Sequence, residues 1–569
     1  MKSVMQAWLK YRLPFALGVA IASVSLGGRW LGLFQAWELQ VFDSMVQTRP
    51  LEPTDYRIVI VGVSDTDLQA LGTNDISDQV MANLIRRIQA QQPRVIGLDF
   101  YRNLPMQPGH AELQKVFETT PNLIGIQKVV GDAAGVPVPG NVVLVDRDRI
   151  AASDIQADAD GRVRRALLVP NTEAPKPILS LGLRVALDYL SSLNIRPETL
   201  SPVLTLNQVR FPPFESHHGG YVQVDSGGYQ ILLNLRNSVT SFQTVSMTQV
   251  LSGTLPKDML KDKIVMIGST LPGNSDAFYT AYSNRFGLVA KPMYGVELHA
   301  QVASQILSAV LDRRRGIYVF PEVLEAVWIA IAVGVGAWIQ LGRTQERTKL
   351  GLSVGAVGGV LVGSYGLLLA GWWFPVVPVV LALLTTIAMM MGYKSRQLRY
   401  LSTRDDLTQL ANRRTFNEVL EREWYRALRS QTALALIICD VDYFKRYNDT
   451  YGHPQGDECL RQVAKALRRS ALRSGDLVAR YGGEEFVLLL PNTDVNGALQ
   501  VAESARSHLH TLRIPHASSD VADHVTLSLG LTCIIPNLDI APSTLLKVAD
   551  LGLYEAKQQG RNQAIFKAP

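Results

Sequence analysis

The sequence predicts an α/β multidomain membrane protein, and three observations lead to this fold class. The chain has 569 residues, which is enough for several domains. Hydrophobic residues make up 47% of the chain and charged residues only 19%, a balance that favours a membrane protein. Before the most apolar region, strand patterns alternate with helical patterns, as in residues 58–63 and then 77–91, and this alternation indicates an α/β domain there. After that region, short apolar strand patterns and helical apolar stripes also occur.

Four apolar stretches reach the length of about 20 residues that a helix needs to cross a bilayer. They are residues 13–33, 317–341, 350–370 and 374–393. A signal peptide is the alternative for the first stretch, but no clear small-residue cleavage site follows it, so an uncleaved helix is favoured. Trp372, Trp373 and Pro375 are typical of an aromatic turn at a membrane surface. The glycine-rich run 351–366 predicts close helix packing.

The basic residues predict how these helices are oriented. Cytoplasmic segments carry an excess of Lys and Arg, which places the N-terminus, the 343–349 loop and the 394–399 segment inside. With four spans, the C-terminal domain is also cytoplasmic and residues 35–315 are extracytoplasmic. The basic run 313–315 contradicts the rule locally, but a large translocated domain can override a local charge count. We therefore expect a multi-pass protein of the inner (cytoplasmic) membrane.

The cysteines and the net charge are consistent with this arrangement. Cys439, Cys459 and Cys533 all lie in the C-terminal domain, so we expect free thiols in a reducing compartment and no disulfide framework. The net charge of +6 requires no nucleic-acid partner, because no aromatic and basic recognition module accompanies it.

The heptapeptide RYGGEEF at 480–486 is the most informative stretch of the C-terminal domain. Its two glycines stand between the apolar runs 477–481 and 486–490, which predicts a tight β-hairpin in which Gly adopts a positive φ. Glu484 and Glu485 lie beside the turn, where two close carboxylates repel each other unless a cation is bound. A solvated hairpin tip is the alternative for this motif taken alone.

A second acidic run lies upstream of the hairpin. The apolar residues 434–438 predict a buried strand that ends in Cys439, Asp440, Val441 and Asp442. A carboxylate at a strand end beside the hairpin carboxylates forms an oxygen-rich site of the kind that Mg²⁺ prefers.

Five segments, in their order and spacing, resemble the GGDEF family of diguanylate cyclases. They are DDLTQLANRRTF (405–416), DVDYFKRYNDTYGHPQGD (440–457), RYGGEEF (480–486), TLSLGLT (526–532) and ADLGLYEAKQQGRN (549–562). The resemblance covers residues 403–567. It implies a cytoplasmic, palm-like GGDEF α/β domain, in which helices flank a central and mostly antiparallel sheet.

The resemblance also implies a reaction and a set of site residues. The implied reaction is a nucleotidyl transfer that condenses two GTP into cyclic di-GMP and releases two pyrophosphates, by positioning and charge neutralisation without a protein nucleophile. The implied catalytic residues are Glu484, Glu485 and Lys445. The implied ligands of Mg²⁺, with Mn²⁺ as an alternative, are Asp440, Glu484 and the carbonyl of Val441. The implied substrate contacts are Asn448 and Asp457 for guanine, Lys445, Lys557 and Arg561 for phosphate, and the backbone at Tyr443 and Phe444.

The guanine assignment has a physical basis and an alternative. A carboxylate accepts from the ring N–H and the exocyclic amine of guanine, and an amide both donates and accepts. Adenine would leave these groups unpaired, which disfavours a cyclase that uses another nucleotide. Asp457 is alternatively an acid in the first turn of a helix, and Lys557 and Arg561 are alternatively cations at a helix C-terminus. His453 receives no catalytic role, because packing or capping explains it equally well.

Arg473 and Asp476 stand just before the hairpin, where an RxxD pattern resembles the family's inhibitory product site. The implied contacts are Arg with phosphate or a guanine face, and Asp with a guanine edge. The main alternative function is therefore a catalytically inactive receptor for cyclic di-GMP. The departures from the family pattern remove no implied ligand: Glu484 replaces the commonest Asp, Gln409 replaces a usual Gly, and Gln563 replaces a common basic residue.

The region before the last three spans has its own resemblance. The segments RIVIVGVSD (57–65), RVIGLDF (94–100), DGRVRRALLV (160–169), KDKIVMIGS (261–269) and YGVELHAQVAS (294–304) resemble the second class of CHASE extracytoplasmic sensor domains. Asp65, Asp99 and Asp276 lie near strand ends, where α/β domains often bind ligands. Turn and cap acids are the favoured interpretation, so no ligand residue is assigned and the extracytoplasmic ligand is unknown.

These interpretations combine into one expected organisation. It comprises a cytoplasmic N-terminus (1–12), a transmembrane helix (13–34), a sensor domain (35–315), three transmembrane helices (316–393), a signalling linker (394–403) and a cyclase domain (404–569). One such domain holds one GTP, so the resemblance implies a homodimer, and two-fold symmetry suits a product with two-fold symmetry. We expect an external signal to change the packing of the helices and thereby the way in which two cyclase domains face each other.

Overall fold

The chain divides into two units, Met1–Met391 and Gly392–Pro569. The structure, a computed structural model, describes residues 2–130, 136–172, 176–199, 201–236, 241–271, 276–283, 291–342, 344–401 and 403–569, without the side chains of 2–11 and 397–401. Of the residues that predict the orientation, Arg343 and the side chains of Lys2, Lys10 and Arg399 lie outside this description.

The first unit contains twelve described helices, the last of which crosses into the second unit, and fifteen described strands. The helices are α1 (Lys2–Trp30), α2 (Gln35–Gln47), α3 (Asp65–Leu71), α4 (Asp78–Ala90), α5 (His110–Thr119), α6 (Val142–Asp146), α7 (Leu181–Ser191), α8 (Met247–Ser252), α9 (Gly295–Leu311), α10 (Glu322–Leu341), α11 (Glu346–Leu369) and α12 (Val377–Leu401). The strands are β1 (Ile58–Val63), β2 (Val95–Asp99), β3 (Leu123–Gln127), β4 (Ile150–Ala152), β5 (Arg165–Val169), β6 (Pro197–Thr199), β7 (Leu204–Leu206), β8 (Val209–Phe211), β9 (Tyr229–Leu232), β10 (Gln243–Ser246), β11 (Ile264–Ser269), β12 (Ala277–Phe278), β13 (Met293–Tyr294), β14 (Tyr318–Val319) and β15 (Trp372–Trp373).

A six-stranded parallel sheet of order β10-β1-β11-β2-β3-β4 forms the centre of this unit. Every residue of β1 and β11 is buried, as their continuous apolar sequences predict for strands that are covered on both faces. Ile58 and Ile60 of β1 join one hydrophobic cluster and Val59 and Val61 join another, since successive side chains point to opposite faces. The predicted α/β sensor fold is confirmed.

Buried ion pairs hold α2 against β5. The Arg164 guanidinium donates to Asp43 at 2.8 Å and to Asp158 at 2.7 Å, and Arg165 donates to Asp158 at 2.8 Å. All four side chains are at most 4% exposed. Removing one partner of such a network would leave an uncompensated buried charge, which costs about 3–5 kcal/mol.

Four described helices are long and apolar enough to cross a membrane, at Arg12–Trp30, Glu322–Leu341, Glu346–Leu369 and Val377–Arg396. The second of them begins at Glu322 and not at residue 317 as predicted. Tyr318 and Val319 instead form β14, which pairs with β15. Backbone that is committed to a strand cannot enter the helix, and Pro321 precedes the first helical residue.

One expectation about the membrane region is wrong and another is made more specific. Trp373, which is predicted in an aromatic turn at a membrane surface, is 1% exposed, and its ring lies 4.3 Å from that of Phe42 in the core of the first unit. The glycines of α11 do not pack closely against the described chain. A Cβ atom would meet nothing within 4 Å at Gly351, Gly355, Gly358, Gly359, Gly363 or Gly366.

A carboxylate from α2 caps the N-terminus of α12. Glu38 accepts hydrogen bonds from the backbone N–H groups of Val376 at 2.9 Å and Val377 at 2.8 Å, and from Trp373 Nε1 at 3.4 Å. Burial raises the pKa of Glu38, although the bonds from Val377 and Val376 oppose the rise. Since α12 runs unbroken to Leu401, this cap joins the sensor domain to the helix that contains the predicted linker.

The second unit contains the remaining described elements. The helices are α13 (Arg413–Ser430), α14 (Phe444–Tyr451), α15 (His453–Ser470), α16 (Val495–Leu512) and α17 (Ser543–Gln558), and the strands are β16 (Ala411–Asn412), β17 (Leu434–Val441), β18 (Leu477–Gly482), β19 (Glu485–Pro491), β20 (Leu527–Ile534) and β21 (Ala564–Phe566).

The sheet of this unit has the order β16-β18-β19-β17-β20-β21. Its three central pairs are antiparallel and its two outer pairs are parallel, which confirms the predicted mostly antiparallel sheet. Strand β17 ends at Val441, within the run 439–442 in which the strand is predicted to end, and its last residues still pair with β20.

Candidate functional site

The RYGGEEF stretch forms the predicted hairpin between β18 and β19. Gly482 pairs with Glu485, and the register shifts between Arg480 and Gly482. Gly483 has a φ of +48°, the left-handed conformation that glycine tolerates best. Glu484 therefore lies in the turn itself, and Glu485 is the first residue of β19.

Strand register brings Asp440 to the same place. Asp440 of β17 stands opposite Glu485 on one side and opposite Ser528 on the other. Asp440 is 8% exposed, whereas Glu484 and Glu485 are half-buried. Burial, reinforced by the charges of Glu484 and Glu485 and opposed by Lys557, raises the pKa of Asp440 to about 6.

Two cations approach this end of the sheet from the C-terminal segment. Lys557, in the last turn of α17, places Nζ 2.9 Å from Asp440 Oδ1. Arg561 follows the helix and lies over the ring of Tyr443 at 4.3 Å. Lys557 therefore lies at a helix C-terminus, as the alternative interpretation predicts, and it also contacts the acidic site directly. Lys445 is exposed on α14.

The turn after β17 holds its backbone in an unusual conformation. Tyr443 has a φ of 54° and immediately precedes α14, whose first residue is the buried Phe444. His516 Nε2 lies 3.3 Å from the carbonyl oxygen of Tyr443 and helps to hold this conformation. The first N–H groups of α14 have no partner within the helix, which suits them to bind an anion.

Asn448 and Asp457 lie on the packed helix pair α14 and α15. Asn448 Oδ1 is buried and has no hydrogen-bond partner in the part of the chain that the structure describes. A Cβ atom at Gly456, the neighbour of Asp457, would lie 1.8 Å from this oxygen, so only glycine fits there. An unpaired buried acceptor calls for a donor from a ligand or a water molecule.

The prediction that Asp457 lies in the first turn of its helix is wrong. Helix α15 begins at His453, and its first turn carries no acid. Asp457 is exposed one turn further along, because Gly452 and Pro454 start the helix earlier than the apolar pattern indicates. The alternative interpretation of Asp457 as a helix-terminal acid therefore fails.

Arg473 and Asp476 share the turn between α15 and β18. The Asp476 carboxylate accepts from the backbone N–H of Arg473 at 3.0 Å, and the Arg473 guanidinium donates to Thr493 Oγ1 at 3.2 Å. Arg473 is exposed and Asp476 is half-buried. The structure thus brings the two residues together, with the guanidinium resting on the loop after β19.

Sequence reasoning missed Asp442, which anchors the site. Its buried carboxylate accepts from Thr526 Oγ1 at 2.7 Å, Ser528 Oγ at 2.6 Å and the backbone N–H of Asn562 at 3.2 Å. It therefore ties the end of β17 to β20 and to the loop after α17. The two hydroxyl residues that alternate with leucine in TLSLGLT are the signal that could have indicated this partner.

A second missed contact links the hairpin to the start of the domain. Arg480 donates through Nε to the carbonyl of Gly483 at 2.8 Å and through Nη1 to Asp405 at 3.1 Å. Asp405 also accepts from the N–H and hydroxyl groups of Thr408 at 2.8 and 2.7 Å. Burial raises the pKa of Asp405, but these bonds outweigh it and the pKa lies below its ordinary value.

The acidic site has the oxygen donors of a metal site, but its side chains are not close enough together to form a complete coordination shell. Among the described residues, no three His, Cys, Asp or Glu side chains are grouped closely enough to hold a metal ion by themselves. Asp440, Glu484 and the carbonyl of Val441 are all hard oxygen donors, the type that Mg²⁺ binds together with substrate phosphates.

Comparison with known families agrees with both resemblances. The family model "CHASE2 domain" matches residues 17–338, more than half of the chain, and this range overlaps most of the first two apolar helices. The chain therefore belongs to the CHASE2 domain family. The family model "Diguanylate cyclase, GGDEF domain" matches residues 402–563, so the second unit is a GGDEF domain.

The individual proteins that are similar to this chain each match about a third of its length. The response regulator PleD of Caulobacter vibrioides is 40% identical over 168 residues, 30% of this chain and 37% of PleD. The diguanylate cyclase DosC of Escherichia coli is 40% identical over 165 residues, 29% of this chain and 35% of DosC. This chain thus spans about a third of the length of these relatives. The coiled coil and GGDEF domain of DgcB from Caulobacter crescentus, in complex with c-di-GMP, is 30% identical; the match covers 33% of this chain and 96% of that structure, with a TM-score of 0.30.

Proposed function

We propose that this protein is a membrane-bound sensor diguanylate cyclase, which condenses two GTP molecules into cyclic di-GMP and releases two pyrophosphates. The observation that carries the proposal is the register of β17 and β19, which sets Asp440 opposite Glu485 and beside the Glu484 turn. The diguanylate cyclase DosC, 40% identical to this domain, supports it.

The site residues suit phosphoryl transfer through charge neutralisation. Asp440, Glu484 and the Val441 carbonyl would hold Mg²⁺, or Mn²⁺ in its place, and the metal when bound neutralises phosphate charge. Lys557, 2.9 Å from Asp440, adds positive charge at the same end of the sheet, and Lys445 and Arg561 serve the same purpose. Glu485 stands opposite Asp440 in the pairing of β17 with β19, where it would help to position the metal. Each 3′-hydroxyl then attacks the α-phosphate of the other nucleotide.

The unpaired acceptor on Asn448 supports guanine as the base. The ring N–H and the exocyclic amine of guanine would donate to Asn448 Oδ1 and to the Asp457 carboxylate. Adenine has no ring N–H at the corresponding position, and it would leave these oxygens unpaired. Sites that bind a substrate through buried polar groups discriminate strongly against analogues that lack the matching group.

The active unit in this proposal is a homodimer. Each GGDEF domain would hold one GTP, and two half-sites would face each other across a two-fold axis. Helix α12 is continuous from the last apolar span to Leu401, so a change in the packing of the membrane helices would alter how the two half-sites meet. The proposed topology places the CHASE2 domain outside the inner membrane and the GGDEF domain in the cytoplasm.

Arg473 and Asp476 serve in this proposal as an inhibitory site for the product. Cyclic di-GMP would recruit the Arg473 guanidinium through phosphate or a guanine face, and Asp476 through a guanine edge. The structure of DgcB contains c-di-GMP bound to that GGDEF protein. Titration of initial rates with cyclic di-GMP tests the idea, and R473A should abolish inhibition; unchanged wild-type rates up to high micromolar product would refute it.

One assay tests the activity and separates it from the alternatives. The purified full chain is incubated with GTP or ATP and Mg²⁺, and the products are identified by mass. We expect cyclic di-GMP from GTP, none from E484A, and retained activity in E484D, which restores the commonest family residue. Binding of cyclic di-GMP without turnover would favour the inactive receptor, and faster formation of a cyclic product from ATP than from GTP would favour another nucleotide.

A further inference from the structure

A cluster of unpartnered polar side chains lies at the carboxyl edge of the parallel sheet in the CHASE2 domain. Asp99 is the last residue of β2, and its Oδ1 lies 4.0 Å from Nε2 of His299 on α9. Asp99 is 9% exposed and His299 is 3% exposed. Open parallel sheets bind ligands at this edge.

Asp276 completes the cluster from the loop after β11. Its backbone carbonyl accepts from the N–H of Gly295, the first residue of α9. A Cβ atom at Gly295 would lie 2.3 Å from Asp276 Oδ1, so the carboxylate rests directly on the start of this helix. His299 follows Gly295 by four residues and lies on the same helix face. The Asp276 carboxylate, packed against Gly295, is therefore about one helical turn from His299 along α9.

The buried groups of this cluster lack the partners that such groups normally have. Asp99 Oδ2 has no hydrogen-bond partner in the described part of the chain. Over the same residues, no Lys or Arg forms an ion pair with Asp99 or Asp276, and the ion-pair partner of the Asp99 carboxylate is His299 at 4.0 Å. Two ionised carboxylates that are buried close together repel each other, and each has lost the water that would hydrate its charge. A bound cation would therefore stabilise them.

We propose that Asp99, Asp276 and His299 form a binding site for a divalent transition-metal cation, of which Zn²⁺ is the representative. One nitrogen and two carboxylate donors suit this class better than Mg²⁺ or Ca²⁺, which prefer oxygen alone. An ion about 2.0–2.2 Å from each donor of a tetrahedral site sets two donors about 3.4 Å apart, so the 4.0 Å between Asp99 and His299 would shorten by roughly half an ångström. The three side chains are less tightly grouped than in a formed metal centre, and binding would draw them together.

The surroundings of His299 agree with a small ligand. A cavity of about 20 Å³, room for one water-sized species, borders His299; it is lined also by Asp154, Arg165 and Ser180, and not by Asp99 or Asp276. Burial lowers the pKa of His299 to about 4 and leaves the imidazole neutral, as a metal ligand must be. Burial also raises the pKa of Asp99 and that of Asp276 to about 7, and a cation would reverse this rise.

The site is placed to affect the membrane helices. Helix α9 carries His299, contacts Asp276 at its first residue, and ends at Leu311, ten residues before α10 begins at Glu322. Movement of Asp99 towards α9 would shift residues 312–321, the segment that connects α9 to the membrane helix α10. This inference goes beyond the proposed cyclase activity, and its test does not depend on catalysis.

The test measures Zn²⁺ binding by the purified full chain in detergent, with excess Mg²⁺ to occupy the GGDEF site. Equilibrium dialysis followed by metal analysis gives the stoichiometry, and Co²⁺ in place of Zn²⁺ gives a ligand-field absorption spectrum. We expect one Zn²⁺ per chain that H299Q and D99N lose, with the dissociation constant raised at least about tenfold. D258N, an exposed acid of the same unit, serves as the matched control and should bind like the wild type.

Thermal unfolding covers the case in which a variant fails to fold. Zn²⁺ should raise the unfolding temperature of the wild type and of D258N, and EDTA should reverse the change. A wild-type chain that takes up no Zn²⁺ or Co²⁺, or that unfolds at the same temperature with and without them, overturns the proposal. So does a chain whose stability depends on pH between 6 and 8 but not on metal, because the cluster then binds a proton.

Discussion

The two units each place carboxylates at the end of a central strand, but they differ in what neutralises the charge. In the GGDEF domain, Asp440 meets Lys557 at 2.9 Å, beside half-buried glutamates of a surface turn. In the CHASE2 domain, neither Asp99 nor Asp276 forms an ion pair with a Lys or Arg of the described residues, Asp99 lies 4.0 Å from His299, and burial raises the pKa of each carboxylate to about 7.

This difference indicates different uses of the same chemistry. A carboxylate that shares its charge with a lysine at an open turn can exchange partners with a large substrate that brings its own phosphates and metal. A closed cluster without a counter-charge has room for a small cation only, and it changes conformation when that cation binds. The first arrangement suits catalysis and the second suits sensing.

The largest expected effect tests the catalytic half of the comparison. Asp440→Asn removes one negative charge where metal and phosphates meet, so product formation should fall at least about a thousandfold. Mass analysis of cyclic di-GMP from GTP measures it. Asp449→Asn, an exposed acid on α14, is the control and should keep wild-type rates. Zn²⁺ uptake by the CHASE2 site should be the same in both variants.

Changing the guanine contact should alter selectivity. Asn448→Ala removes the unpaired acceptor and one donor, so kcat/KM for GTP should fall about a hundredfold while the slow rate with ATP stays unchanged. Rates with both nucleotides, measured side by side, check this. A proportional loss with GTP and ATP would show that Asn448 only maintains the structure.

Mutation of Glu38, which caps α12, tests whether the sensor domain holds the N-terminus of this helix in place. Glu38→Ala leaves the N–H groups of Val376 and Val377 without their acceptor, which should lower the stability of the first unit by about 2–4 kcal/mol. Glu38→Gln keeps an acceptor oxygen and should lose much less. Denaturant titration of the full chain followed by tryptophan fluorescence measures both, and equal losses would contradict the cap.

The Asp405–Arg480 pair provides a pH-dependent test of the hairpin support. The pKa of Asp405 in the folded chain lies below 3.8, its ordinary value, so the pair stabilises at neutral pH and this contribution is lost as the pH falls through the folded pKa. Asp405→Asn should lower the stability of the GGDEF domain by about 0.5–1 kcal/mol at pH 7, since solvent screens a partly exposed pair. The difference in the free energy of unfolding between the wild type and Asp405→Asn should disappear at acid pH.

An effect of the same small size, but stabilising, is expected from relief of backbone strain next to this pair. Gln409 has a φ of +59°, where a side chain is disfavoured and the family commonly has glycine. Gln409→Gly should stabilise the domain by about 0.5–1 kcal/mol. Gln409→Ala retains the strain and should not stabilise it. Unfolding curves of the two variants give the comparison.

The sequence by itself predicted the elements that depend on near neighbours. The hairpin at 480–486, the buried strand before Asp440, the four apolar spans and the two domain families all follow from short patterns. In each case a residue's preference for a turn, a strand or an apolar environment acts within a few positions. Asp440, Glu484 and Glu485 were assigned to one site because their motifs belong to the same family resemblance, and the pairing of β17 with β19 brings Asp440 opposite Glu485 in the structure.

Only the tertiary structure decided the contacts between distant segments. Asp99 and His299 are 200 positions apart, and no local pattern distinguishes His299 from any other buried helix residue. Asp442 needed the register of β20, and the buried place of Trp373 needed β14 as its strand partner. Such contacts depend on how sheets and helices pack over long separations, and a single sequence carries no signal for packing of that range.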